Sequence, residues 1–323
     1  MTEFKRNRKT RISDNLRELF QEQHLHVTDL IYPMFISEEV DMPQEIKSMP
    51  GTYQIPLNYL PQEIEEIQAL GIKAVLLFGI PKVKDAEGSQ AYAKDGIVQR
   101  AIRQIKQLAP DLIVIADTCL CEYTDHGHCG HINHEGFLVN DASVELSVRT
   151  AVSQAEAGAD IIAPSSCLDG VAGEIRQALD AAGYTYTSVM GYSIKFASAF
   201  YGPFRDAADS APKMGNRKTY QIPTSNQREA LRELNSDIEE GVDMVIVKPA
   251  MAFMDMIYQT RQMTNLPVVV YNVSGEYSMI EAAASNGWIS KAQIIIELML
   301  SFKRAGADLI ITYHAKEIAK LIQ

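Results

Sequence analysis

Apolar residues in this chain cluster into short, nearly unbroken runs instead of alternating with polar ones. Eight such runs recur: Leu30–Ile36, Ala74–Ile80, Leu112–Thr118, Asp160–Ser165, Thr187–Lys195, Asp243–Ala250, Pro267–Ser274 and Asp308–His314. Each is five to nine residues long and rich in Val and Ile, the pattern of parallel strands covered on both faces. Four of them are entered through one phrase, "ALGIKAV", "EAGADII", "EEGVDMV" and "RAGADLI". The glycines in it, Gly71, Gly158, Gly241 and Gly306, each follow a helical segment and precede a strand by two or three residues. Glycine at such a place ends a helix in the left-handed conformation without a Cβ penalty. Helix, glycine stop and buried strand, repeated, predict a (β/α)8 TIM barrel over residues 26–323, preceded by an extended N-terminal arm over residues 1–25. A doubly wound open sheet is the alternative, but no GxGxxG or Walker loop follows any strand.

In a (β/α)8 barrel, chemistry belongs at the C-terminal strand ends and in the loops that follow them. Those ends carry Asp117 on strand three, Ser165 on strand four, Lys195 on strand five, Lys248 on strand six, Tyr271 and Ser274 on strand seven and Tyr313 on strand eight. Polar residues that would be misplaced in a core thus converge on one rim.

With 323 residues, 46% of them hydrophobic, the chain can bury a large core. A net charge of −11 argues against a nucleic-acid binder, which needs a basic footprint. The one basic stretch, "KRNRKTR" at Lys5–Arg11, reads as a flexible or subunit-clasping tail sooner than an RNA-binding arm. Met1 is followed by charge and not by an apolar signal segment, and no apolar run approaches the ~20 residues of a membrane span. A cytoplasmic protein is therefore expected. There, clustered cysteines are more often metal ligands or catalytic groups than disulfides.

Three features could do chemistry. "GYSIKFA" and "VIVKPA" each set a lysine inside a buried run. Desolvation and a neighbouring cation lower an amine's pKa toward the neutral form that Schiff-base chemistry needs. Two such lysines suggest a mutually tuned pair or two carbonyl substrates, unless one merely pairs with a rim carboxylate. "DTCLCEYTDHGHCG" holds Cys119, Cys121 and Cys129 in a C-x-C-x7-C spacing that zinc ribbons and knuckles do not use. Three thiolates at the active rim suit an open, soft site with zinc favoured over magnesium; His126, His128, His131 or His134 could instead close it as a structural centre. Cys167 reads as a buried small apolar residue. The long loop "FYGPFRDAADSAPKMGNRKTYQIP", Phe200–Pro223, lacks helical periodicity and reads either as a lid whose Arg205 and Arg217, with Gln221 nearby, could clamp a carboxylate, or as a surface loop with exposed arginines.

Together, "ADTCLCEYTDHGHCG", "APSSCLDG", "GYSIKFASAFYGPFRDA", "NRKTYQIP", "DMVIVKPA", "YNVSGEY" and "ITYHAKE" closely resemble the porphobilinogen synthase, or 5-aminolevulinate dehydratase, family of tetrapyrrole (heme) biosynthesis. The resemblance covers essentially the whole chain. It implies condensation of two 5-aminolevulinate molecules to porphobilinogen with loss of two waters. Carried over, Lys248 forms the Schiff base with the first-bound substrate, whose carboxylate meets Ser274 and Tyr313. Lys195 holds the second, whose carboxylate meets Arg205, Arg217 and Gln221. Asp117 and Ser165 lie near the first substrate, and Tyr201 and Phe204 belong to the lid. Cys119, Cys121 and Cys129 match the ligands of the zinc-dependent branch, and Glu233 matches an allosteric magnesium position of some members. The resemblance also implies a homo-octamer whose arms wrap neighbouring barrels. The strand-four loop departs from the family's pattern at Ser166, Cys167, Leu168 and Val171. Two other readings compete: a one-lysine class I aldolase with structural zinc, and a non-catalytic zinc-binding barrel.

Overall fold

The computed structural model describes residues 4–323. Among the described residues, eight parallel strands form a closed ring: β1 (Leu30–Ser37), β2 (Ala74–Ile80), β3 (Ile113–Thr118), β4 (Ile161–Pro164), β5 (Ser188–Lys195), β6 (Met244–Lys248), β7 (Val268–Asn272) and β8 (Leu309–Thr312). Neighbours in sequence are neighbours in space, and β8 closes on β1 through the pairs Leu30–Ile310 and Ile31–Ile311. Each predicted run holds its strand, and the predicted (β/α)8 barrel is the fold.

The repeated strand-entry phrase has two structural jobs. Gly71, Gly158, Gly241 and Gly306 all adopt positive φ, between 74° and 116°. The aspartate two residues after three of them then reaches back to the preceding strand. Asp160 accepts from Val114 N at 2.7 Å, Asp243 from Val189 N at 2.7 Å and Asp308 from Val268 N at 2.8 Å. These bonds satisfy backbone donors at the bottom of the barrel, where a strand start would otherwise leave them unpaired.

Side chains alternate between two apolar layers. One set, including Val75, Val114, Ile162, Val245 and Val270, packs outward against the helices. The other fills the barrel interior, with Phe35, Phe78, Ile115, Met190, Ile246 and Tyr271. The interior is a packed plug, so substrate can enter only from the rim above it.

Three features were not expected. A short hairpin, Gln44–Glu45 with Tyr53–Ile55, pairs onto β1. The loop after β5 contains a helix, Gly202–Ala207, begun by Pro203 at its first turn. Cys167 is half-buried at φ 57°, not a fully buried apolar residue. Of the arm, Met1–Glu3 lie outside the described residues. Beyond them a 3-10 turn (Asn7–Arg11) and a helix (Asp14–Leu19) extend with Phe4, Ile12, Leu19 and Phe20 all exposed.

Candidate active site

The two lysines end β5 and β6 and are both buried, as the apolar runs that carry them require. Their backbones are paired in register, Lys195 with Lys248. Both amines lie over one aromatic ring, that of Tyr192, at 5.5 Å for Lys195 and 5.0 Å for Lys248. Their surroundings otherwise differ. Lys248 Nζ sits among rings, 4.3 Å from the centroid of Tyr271 and 5.4 Å from those of Tyr201 and Phe204. Burial, with Lys195 adding to it, brings its pKa down to about 7. Lys195 Nζ instead donates to the Ser165 carbonyl. Burial opposes its charge, but Cys167, Cys129, Cys119 and Asp117 outweigh it and hold the ammonium well above its ordinary range. One amine is tuned to be neutral near pH 7 and the other is not, an asymmetry the sequence did not reveal.

Asp117, at the end of β3, accepts from Ser165 Oγ at 2.8 Å, and burial raises its pKa against the pull of the two lysines. Tyr271 and Tyr313 share a hydrogen bond between hydroxyls at 3.0 Å. Ser274 opens the helix Ser274–Ser285 and is engaged by the lid: its Oγ donates to Phe200 O at 3.2 Å and accepts from Phe204 N at 2.9 Å. The approach depends on Gly275, where a Cβ would lie 2.5 Å from Phe200 O. The lid then turns Phe204 onto Phe78 and Phe35 of the barrel plug, with centroids at 5.0 and 5.7 Å, while Tyr201 donates to the Lys248 carbonyl at 3.3 Å.

Further along the lid, Arg217 is buried and donates to Gly127 O at 2.9 Å and Ser210 O at 2.5 Å. Arg205 is half-buried, its pKa lowered by burial and by Arg217. Among the described residues, buried polar atoms without partners gather in this region: Asp117 Oδ2, Ser166 Oγ, Tyr192 OH, Arg205 Nε, Arg217 Nε and Gln221 Nε2. Unsatisfied buried groups are costly, so their concentration around two amines marks a place built to receive a polar ligand.

Cys119, Cys121 and Cys129 follow β3, are buried, and bring their sulfurs within 4.8 Å of one another. Cys119 Sγ and Cys121 Sγ are 3.3 Å apart. Hydrogen bonds from Cys119 and Cys121 lower the Cys129 pKa well below its ordinary value. The neighbouring histidines are occupied elsewhere: His126 with Ala86 O and His128 N, His128 with Tyr220 OH and Met214 O. The donor set that the described residues assemble here is three sulfurs, and it fits a soft metal ion. His131 and His134 stand outside it. Glu122 was not anticipated: its carboxylate is buried 3.3 Å from Cys121 Sγ, and burial, with Asp117 next, raises its pKa to about 7.

Glu233 is half-buried on the helix Gln227–Glu239 and lines a small cavity with Lys195, Tyr192 and Cys167; burial followed by Asp169 and Glu229 raises its pKa. It also lines an outer cavity of about 400 Å³ with Asp169 and Lys218. In a second three-ligand cluster, Glu281, His314 and Glu317, both carboxylates are already paired with Lys291, Glu281 at 2.8 Å and Glu317 at 2.7 Å.

Fold and site together define a (β/α)8-barrel enzyme with two buried amines at its active rim. Comparison with known proteins narrows this. The family model described as "Delta-aminolevulinic acid dehydratase" matches residues 4–321, and the chain belongs to that family. A delta-aminolevulinic acid dehydratase of Halalkalibacterium halodurans is 57% identical over 98% of this chain and 96% of its own. One from Staphylococcus epidermidis is 57% identical over 99% of both. A crystal structure of the Toxoplasma gondii enzyme, in complex with the reaction product porphobilinogen, superposes with a TM-score of 0.96 at 41% identity, covering 99% of this chain and 92% of that one. The aldolase and non-catalytic readings fall with this result.

Proposed function

We propose that this barrel condenses two molecules of 5-aminolevulinate to porphobilinogen with loss of two waters, using Lys248 and Lys195 as the Schiff-base amines. The observation that carries the residue assignment is the pairing of two buried, unequal amines over the Tyr192 ring. Lys248, neutral near pH 7, attacks the ketone of the first substrate. Lys195, hydrogen-bonded as the ammonium to the Ser165 carbonyl, must lose a proton before it can attack, and Asp117 is among the acidic groups acting on it. Each iminium makes its carbon an electron sink, easing C–C and C–N bond formation.

Two carboxylate clamps then distinguish two identical molecules. Ser274 and Tyr313 serve the first substrate; Arg205, Arg217 and Gln221 serve the second, and the two unpaired guanidinium Nε atoms support this. The lid residues Tyr201 and Phe204 exclude water over Lys248.

Cys119, Cys121 and Cys129 would hold the catalytic metal, with zinc favoured by the all-sulfur set. When bound, it supplies Lewis acidity toward the second substrate's carbonyl or amine. A magnesium ion at Glu233 would be allosteric, since that carboxylate is not among the three sulfur donors assembled for the catalytic metal. The exposed apolar and basic arm supports a homo-oligomer, an octamer, in which residues 1–25 clasp a neighbour. Removing them should shrink the assembly in sedimentation velocity. Among the described residues no helix is long and apolar enough to cross a membrane.

Borohydride reduction with labelled 5-aminolevulinate and peptide mapping tests the reading. An adduct at Lys248 supports it, and its absence with substrate bound would overturn it.

A further inference from the structure

Glu276 is completely buried at the third position of the helix that Ser274 opens. It accepts from Val273 N at 3.1 Å, as an acidic residue near a helix start commonly does. That cap does not account for the rest of its bonds. Its other oxygen accepts from Met251 N at 2.7 Å, in the loop that follows Lys248, and the Ala250 backbone hydrogen-bonds it as well. Asn272 Nδ2 donates to it at 3.0 Å. Asn272 Oδ1 then accepts from Thr312 Oγ1 at 3.0 Å, and Thr312 Oγ1 from His314 N at 3.2 Å. Every one of these contacts is a neutral donor or acceptor. A carboxylate buried among them costs far more than a solvated cap, so it needs a reason beyond ending a helix.

The network's geometry supplies one. It joins the C-terminal ends of β6, β7 and β8, the strand ends that carry Lys248, Ser274 and Tyr313. No link in it reaches β5, whose Lys195 rests on the Ser165 carbonyl. We propose that Glu276 is the positioning residue of the first-substrate subsite, setting Lys248, Ser274 and Tyr313 in one fixed register through Met251, Asn272 and Thr312. This rests on the reading that those three residues receive the first substrate. The hydrogen bonds of this network include none to Lys195, Arg205, Arg217 or Gln221, the residues assigned to the second substrate.

The test uses the full-length metal-loaded enzyme, with adduct formation at Lys248 and at Lys195 followed separately by borohydride reduction and peptide mapping. Absence of a Lys248 adduct in the unaltered enzyme would refute the subsite reading itself, separately from any role for Glu276. Glu276→Gln keeps the shape but points an amide N–H₂ at Asn272 Nδ2 and Val273 N. A displaced reactive group costs about 10²-fold, so Lys248 adduct formation should slow by about ten- to a hundredfold. Lys195 adduct formation should stay within about twofold of the unaltered rate. Equal slowing at both lysines means a merely structural role and overturns the proposal, as does an unchanged Lys248 rate in folded protein. Should Glu276→Gln not fold, Thr312→Val cuts the link to β8 with little change of shape. It should raise KM about tenfold through Tyr313 with kcat nearly kept, and an unchanged KM overturns the proposal.

Discussion

Lys195 and Lys248 lie over the same Tyr192 ring, yet the cation of Lys195 helps keep Lys248 neutral. The relationship has a direction that can be measured. In the unaltered enzyme, Lys248 titrates at about 7, so adduct formation should rise with pH through that value and level off above it. Lys195→Met removes a positive neighbour, which stabilises the Lys248 ammonium and raises its pKa. Turnover should be abolished, but the Lys248 adduct should still form, with its acid limb moved above 7. A limb that stays put would mean that the two amines do not feel one another.

The cysteine cluster predicts an outcome for metal removal. Chelation should abolish turnover and Zn²⁺ should restore it, if the three buried sulfurs hold the metal as proposed. Cobalt loading gives a readout independent of activity: thiolate-to-metal charge-transfer absorption that disappears in Cys129→Ala. Activity in metal-free protein would contradict a catalytic role for the cluster.

How far the sequence could be read follows from what each feature depends on. Parallel strands covered on both faces must be apolar throughout, so all eight showed as runs, and Lys195 and Lys248 stood out as the charged ends of two of them. The glycine stops and the cysteine spacing are local signals as well. The hairpin Gln44–Glu45 with Tyr53–Ile55 is too short to leave a period, and the lid helix Gly202–Ala207 is a single turn and a half started by proline. The difference between the two amines depends on rings and thiols brought in from distant segments. So does the exclusion of His126 and His128 from the metal site, which is decided by Ala86, Met214 and Tyr220.

Gly275 predicts how tightly the lid must close. A methyl group there would lie 2.5 Å from Phe200 O and 2.8 Å from Phe200 Cα, backbone atoms that cannot rotate away. Gly275→Ala should therefore push the lid off Ser274 and loosen the wall of rings around Lys248. A loss of about 10²-fold in kcat/KM is expected, with a stability cost of about 1–3 kcal/mol. Steady-state kinetics and thermal melting check the two separately, and wild-type kinetics would show that the lid seat is not needed for turnover.

The bottom of the barrel should respond in the opposite way. Asp308 ties β8 to β7 by accepting from Val268 N and pairing with Arg261 at 2.9 Å. It does so at the strand entrances, a full strand length from Tyr313 and the lysines. Asp308→Ala leaves the Val268 N–H without its partner and removes the carboxylate from the Arg261 guanidinium, which keeps its bonds to Thr264 O and Leu266 O. The backbone bond is worth about 1–2 kcal/mol and the partly exposed ion pair adds little. For a chain of this length the expected fall in Tm is about 2–4 °C. Turnover at 25 °C should be unchanged, because in this fold the entrance face carries stability and the exit face carries chemistry. A large fall in kcat with Tm preserved would show that the two ends of the barrel are coupled after all.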